Sequence, residues 1–243
     1  MRRLGVILAG GLGTRLADGP PDGTSLNGVS PNDVPSNHVS VPKPWAMLGG
    51  KTLLQHSYDL LAPQVDDVVF SVSESFQEAS VLGCKAVPDI KTNPVSKQGA
   101  ERRPARQSGG PLVAIASALK YAHTLEGEKG RTEIVTVPAD MPFLPPTFVA
   151  HLASPPHVPE QPRFAFCAGR DYPTCAIWPV SLAPQLMEWV EGQEMRAIYK
   201  ALRRCDALKV TFDKNRSNDF LNINSPQDFQ KAQTLIETGF GEG

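Results

Sequence analysis

The sequence has little cysteine and arranges none of it for metal. Its four cysteines, Cys84, Cys167, Cys175 and Cys205, are scattered, with no CxxC spacing and no histidine cluster beside them. That spacing argues against a zinc site and against a disulfide framework. Scattered cysteines with no secretory signal give the expectation of a reducing cytoplasm. No apolar run approaches the roughly 20 residues a membrane-spanning helix needs. Charge of one sign is also missing: 24 Lys and Arg face 25 Asp and Glu, for a formal net charge of −1. The molecule as a whole therefore has no field to gather nucleic acid or an anionic membrane. A local basic stretch, Arg102, Arg103 and Arg106, lacks the interleaved aromatics of a single-strand binder. There is no internal repeat.

Proline is plentiful, with 23 residues in a chain of 243. They gather in three places, Pro20 to Pro44, Pro88 to Pro111 and Pro138 to Pro162, which read as loops. Two segments, 17–41 and 91–108, fit no regular element and are expected to be mobile insertions. They read equally well as tolerated surface insertions or as binding loops on a rigid scaffold. With 41% hydrophobic residues, the length suits one α/β domain spanning 1–243.

Strand and helix patterns alternate along the chain. "RLGVILA" predicts a buried parallel strand, and Thr52–Leu61 a helix with Leu53, Leu54, Ser57, Tyr58 and Leu61 on one face. Asp66–Ser73 predicts a second strand and Cys84–Asp89 a short third. "GPLVAIASALKYAHTL" predicts a helix with Pro111 in its first position and a stripe of Leu112, Ile115, Ala116 and Leu119. Glu133–Asp140 predicts a strand entering a loop. "RFAFCAG" and "PTCAIWP" follow as strands, then helices over 182–190 and 194–204, the strand "ALKVTF", and a last helix with Ser225 as N-cap, Pro226 first and Gly239 as its stop. This rhythm argues for a mostly parallel, twisted sheet with helices on both faces.

Three glycine patterns compete at the N-terminus. Gly11 and Gly13 begin a dinucleotide fingerprint, but Leu16 stands where its third glycine belongs. "GGKT" at 49–52 imitates the end of a phosphate loop, but Trp45 occupies the position of its first glycine. It reads better as a turn before a helix, with Lys51 solvated. "LAGGLGTRL" remains as a strand-to-loop signature of its own. Glycine lets backbone N–H groups approach a phosphate or base, and Arg15 adds a forked cation for phosphate oxygens. Lys43, fixed between Pro42 and Pro44, supplies a second cation of defined reach, unless it is an ordinary exposed lysine.

"ILAGGLGTR", "PKPWAMLGGKTLLQH", "GGPLVAIASAL", "VTVPADMPFLPP", "YPTCAIWP" and "FLNINSPQDF" occur in that order. Together they resemble the molybdenum cofactor guanylyltransferase family, a branch of the Rossmann-like nucleotidyltransferases, over nearly the whole chain. The resemblance implies transfer of GMP from GTP to molybdopterin, usually carrying molybdenum, with release of pyrophosphate and a requirement for Mg²⁺. It implies that the backbone of Leu8, Ala9, Gly10 and Gly11 holds the nucleotide, that Lys43 contacts its phosphates, that Asp89 is a nucleotide contact and that Asp140 holds the metal. Asn222 and Asn224 match a pair near metal and phosphates. Transient contact with molybdenum enzymes or other cofactor-synthesis proteins is a further implication.

The chemistry points the same way. Nucleotidyl transfer joins two anions, so the protein must neutralise charge and align the partners. Lys43 and Arg15 can do the first. A hard cation held by one carboxylate and a triphosphate is the usual Mg²⁺ arrangement. Asp140 follows a strand, where ligands of open α/β sheets bind, although a loop-capping aspartate would look the same. Asn222 and Asn224 alternate on an extended run and share a face, or form a turn before the Ser225 cap. Asp89 is either a ligand contact or the start of a long loop.

The chain also departs from the family pattern. About two dozen residues separate Arg15 from Lys43, and the loop after Asp89 is long. Ser71 and Ser73 stand where the family often carries Asn. The "GLGTRL…PKP" spelling is also typical of sugar-1-phosphate nucleotidyltransferases. A cytidylyltransferase for molybdopterin, a sugar-1-phosphate enzyme, and a degenerate protein that binds and delivers nucleotide or cofactor are the alternatives. Arg102, Arg103 and Arg106 are expected to meet the pterin phosphate.

Overall fold

A computed structural model describes residues 2–9, 43–73, 80–92, 110–125, 132–156, 158, 160–192 and 195–239. The elements are β1 (Arg3–Leu8), β2 (Met47–Leu48), β3 (Lys51–Thr52), α1 (Leu53–Leu61), β4 (Asp67–Val72), β5 (Ser80–Val81), β6 (Cys84–Pro88), α2 (Pro111–Thr124), β7 (Glu133–Pro138), α3 (Phe148–Leu152), β8 (Arg163–Cys167), β9 (Arg170–Pro179), α4 (Ala183–Glu191), α5 (Ile198–Arg204), β10 (Leu208–Phe212) and α6 (Pro226–Glu237).

Eight strands form one sheet in the order β10-β8-β9-β7-β1-β4-β6-β5. Its centre, β7-β1-β4-β6, is wholly parallel. β10 and β8 are parallel to each other. β9 runs antiparallel to both β7 and β8, and β5 antiparallel to β6. The expected mostly parallel α/β sheet is therefore present, with one reversed strand inside it and a short reversed one at its edge. Periodicity carries no direction, so "PTCAIWP" predicts a strand without predicting its reversal. That strand also begins earlier than expected, at Arg170.

Alternation along the strands separates two apolar faces. Leu4, Val6, Val69, Ile134, Ala176 and Trp178 pack on α2, α4 and α5. Ile7, Val68, Phe70, Val135, Val137 and Ile177 pack on α1 and α3. On that second side α1 lies so close to β1 that a Cβ at Gly5 would come within 2.9 Å of both Leu61 and Val65. Helix α2 is buried continuously from Leu112 to Leu119, more than the expected single stripe, because α4 and the short helix before it cover the side away from the sheet.

Helix starts follow local chemistry. The Thr52 side chain accepts from the Gln55 N–H to open α1. At α6, Ser225 and Asp228 form a reciprocal capping box with Pro226 in the first turn, and Gly239 ends it with a φ of 75°. α5 begins at Ile198, not at 194, since Ala197 is still extended. β2, β3, β5 and α3 are too short to leave a pattern. Gly49 and Gly50, with φ of 56° and 83°, make the two-residue turn between β2 and β3. That hairpin packs with Ile223, Ala232 and Ile236 in a third small cluster.

Candidate active site

The parallel strands all end on one side of the sheet, the side where open α/β sheets bind ligands. Their ends are tied to one another. Ala9 N–H donates to Ser71 O at 2.9 Å, Asp89 N–H to Val72 O at 2.9 Å, and Ala139 N–H to Leu8 O at 3.2 Å. A cleft of about 230 Å³ opens above them. Leu8 and Ala9 border it from β1, Asp89 from β6, and Asp140 from β7, with Lys43, Asn222 and Thr174 completing its walls. The first turn of α2, at Gly110, Pro111 and Ala114, closes another side. A helix N-terminus turned toward a cleft favours anionic groups.

Lys43 opens a short 3-10 turn over Lys43–Trp45 and is only 6% exposed. Its Nζ donates to Asp140 Oδ2 at 2.5 Å and to Asn224 Oδ1 at 2.6 Å. Three further hydrogen bonds hold these partners in place. Ile223 N–H donates to the Asp140 carbonyl at 3.0 Å, which ties the stretch after the last 3-10 turn to the end of β7. Asp228 Oδ2 accepts from the N–H groups of Asn224 and Ser225 at 3.0 and 2.9 Å, so the α6 cap fixes the backbone that carries Asn224.

Two oxygens at this place are left over. Asp140 Oδ1 and Asn222 Oδ1 are buried and have no hydrogen-bond partner among the described residues. A buried carboxylate oxygen without a donor is costly, and two hard oxygens beside a cleft suit a divalent cation. Among the described residues no group of three His, Cys, Asp or Glu side chains could hold a metal by itself.

At the other end of the cleft, Ser71 Oγ donates to Asp89 Oδ1 at 3.2 Å. Asp89 is 9% exposed. Burial pushes its carboxyl up to about 6, against the hydrogen bond from Ser71, which favours the charged form. Ile90 N–H donates to Ser117 Oγ at 2.9 Å, which anchors the next residue to α2.

Residues 5–206 match the family described as the MobA-like NTP transferase domain. The chain belongs to the MobA-like NTP transferase family. It is similar to the molybdenum cofactor guanylyltransferase of Rhizobium leguminosarum bv. trifolii, 32% identical over 207 residues, covering 83% of this chain and 88% of the relative. The guanylyltransferase of Cereibacter sphaeroides is 28% identical over 236 residues, 97% of this chain and 98% of that one. The fold is that of molybdopterin-guanine dinucleotide biosynthesis protein A from Archaeoglobus fulgidus, with a TM-score of 0.61 at 19% identity, covering 97% of this chain and 99% of that one. The chain is thus an enzyme of the nucleotidyltransferase class.

In this MobA-like transferase the structure brings Leu8, Ala9, Lys43, Asp89, Asp140 and Asn222 to one cleft, with Asn224 on Lys43. Gly10, Gly11 and Arg15 lie outside the described residues, as do Arg102, Arg103 and Arg106 and nearly all of the segments 17–41 and 91–108. Lys43 is not the exposed lysine its sequence also allowed. Lys51 instead pairs with Asp59 at 2.6 Å and is 55% exposed, and it is not among the cleft residues. Sequence reasoning gave no place in the site to Gly110, Pro111 and Thr174, which border the cleft. The glycines before Pro111 were a usable signal for a helix start open to a ligand. Thr174 lies in the "YPT" motif that was noted without a function.

Proposed function

We propose that this chain transfers GMP from GTP to molybdopterin and releases pyrophosphate. The observation that carries the reading is the meeting of Lys43, Asp140, Asn222 and Asn224 beside the end of β1. The relatives named for this activity support it along most of the chain.

In this reading the triphosphate lies between Lys43 and the first turn of α2, with the backbone of Leu8, Ala9, Gly10 and Gly11 along the nucleotide. Arg15 adds a second cation to the phosphates. Mg²⁺ fits the unpartnered oxygens of Asp140 and Asn222, and when bound it neutralises charge on the reacting phosphates and holds them in place. Lys43 takes negative charge as the pyrophosphate leaves, since a preorganised cation costs no rearrangement during reaction. The Asn224 amide and the α6 cap keep the lysine aimed. Asp89 meets the nucleoside end. The reaction belongs to the cytoplasm, where GTP and the reduced pterin are both present, and the product passes to molybdenum enzymes or their assembly partners.

The test is pyrophosphate release by the purified protein with molybdopterin, Mg²⁺ and each of GTP, CTP, UTP and dTTP, beside a thermal-shift panel of the same nucleotides. GTP should give turnover and the largest stabilisation. A preference for CTP would reassign the chain as a cytidylyltransferase. Turnover with a sugar 1-phosphate in place of molybdopterin would reassign the acceptor. Binding without pyrophosphate release would mark a delivery protein.

A further inference from the structure

Ser71 and Asp89 fall on the same face of the sheet by strand alternation. Ser71 follows Val69 by two residues and Asp89 follows Val87 by two, and both valines pack in the cluster under α2. Ser71 is 0% exposed, so no ligand can reach it. Its hydroxyl donates to Asp89 Oδ1 at 3.2 Å, and Asp89 borders the cleft. The second carboxylate oxygen takes no hydrogen bond from any described residue, and no cation among them pairs with this acid. A buried carboxylate without a counter-charge is expensive to keep. Such a group repels phosphate and attracts N–H donors, which places it at the base end of a nucleotide.

We propose that Ser71 is a positioning residue for base selection: its hydroxyl fixes the plane of the Asp89 carboxylate so that the free oxygen faces the adjacent N–H donors of a guanine edge. This rests on the reading of the cleft as a GTP site. A carboxylate offers about four lone-pair positions, so Ser71 uses one and leaves enough for two donors. Guanine presents N1–H and the 2-amino group side by side. Cytosine presents an acceptor beside its amino group, and inosine lacks the amino group altogether. Strand position 71 thus works on the base indirectly, through the acid 18 residues later.

The experiment measures dissociation constants for Mg·GTP, Mg·ITP and Mg·2′-deoxyGTP with the wild type, Ser71→Ala, Asp89→Asn and the double variant, each with a thermal melt. Wild type should bind GTP and 2′-deoxyGTP alike and ITP about tenfold more weakly, the worth of one hydrogen bond to a charged group. Ser71→Ala should weaken GTP by about the same factor and leave ITP within about twofold, and adding it to Asp89→Asn should cost nothing beyond the loss from Asp89→Asn alone. Equal losses for GTP and ITP, or additive losses in the double variant, would reduce Ser71 to a packing residue and overturn the proposal. A penalty confined to 2′-deoxyGTP would move Asp89 to the ribose and overturn it as well. A wild type that binds no nucleotide at all would instead sink the reading of the cleft, and this inference with it.

Discussion

Lys43 Nζ stands 2.5 Å from Asp140 Oδ2, across a separation of 97 residues in the chain. The lysine side chain is 7% exposed and the aspartate side chain 23%. Neither charge is free to turn into solvent, so in the unliganded protein each is the other's partner.

Removing one member of this pair should harm the fold as well as catalysis. The loop position of Asp140 alone suggests that Asp140→Ala is structurally silent. The buried lysine changes that expectation, because an uncompensated buried charge is costly. Discounted for the partial exposure of the aspartate, the loss should be about 2 kcal/mol in urea unfolding. Lys43→Met combined with Asp140→Ala should lose less than the two single changes added together. Pyrophosphate release should fall about 100-fold or more in all three.

Asn222 gives the opposite pattern. Its Oδ1 is buried and unpartnered, so Asn222→Ala removes a group the free protein does not satisfy. The melting temperature should stay or rise slightly. If the amide oxygen helps hold Mg²⁺, the metal concentration for half-maximal turnover should increase about tenfold. An unchanged metal requirement would show that the oxygen is merely stranded.

Asp89 ties stability to pH. Its carboxyl is raised from the ordinary 3.8 to about 6 in the fold, so the folded protein holds a proton that the unfolded chain releases earlier. The protonated form is the one the fold favours. Stability should therefore be highest below about pH 4 for this group and decline as pH rises to about 6, by roughly 3 kcal/mol, with no further loss above. Asp89→Asn should match the wild type near pH 4 and exceed it by about that amount at pH 7.5, measured by urea unfolding at both pH values.

Glu133 sits at the far end of the sheet from the cleft and is 0% exposed. It accepts from Arg3 Nε at 2.9 Å and from Arg163, which joins the starts of β1, β7 and β8. Glu133→Ala strands Arg163, itself 3% exposed, and should cost about 3 to 5 kcal/mol. Glu133→Met with Arg163→Met should recover most of it. GTP affinity of the folded fraction should not move in either variant.

What could be read from the sequence, and what could not, has a physical basis. Lys43 and Asp140 were legible because their motifs state a chemistry: a cation fixed between prolines, and an acid just past a strand. Strands such as β1 and β7 were legible because burial on both faces leaves unbroken apolar runs. The direction of β9 was not, since a buried apolar run reads the same both ways. The Ser71–Asp89 bond was not, because it needs the register of β4 against β6, in which Val72 lies opposite Pro88. The start of α5 was misplaced because residues 195–197 are apolar and polar in helical proportion, while Ala197 is extended and the helix begins only at Ile198.

The docking of α6 has a consequence for how the enzyme comes into being. Lys43 and Asp140 are separated by 97 residues and Lys43 and Asn224 by 181, so neither anchor of the ammonium group can form from local structure. Each contact exists only once the end of β7 and the start of α6 have docked, and closing such long loops is slow relative to forming local helices. The geometry around this lysine is therefore a property of the assembled sheet and not of any one segment of it.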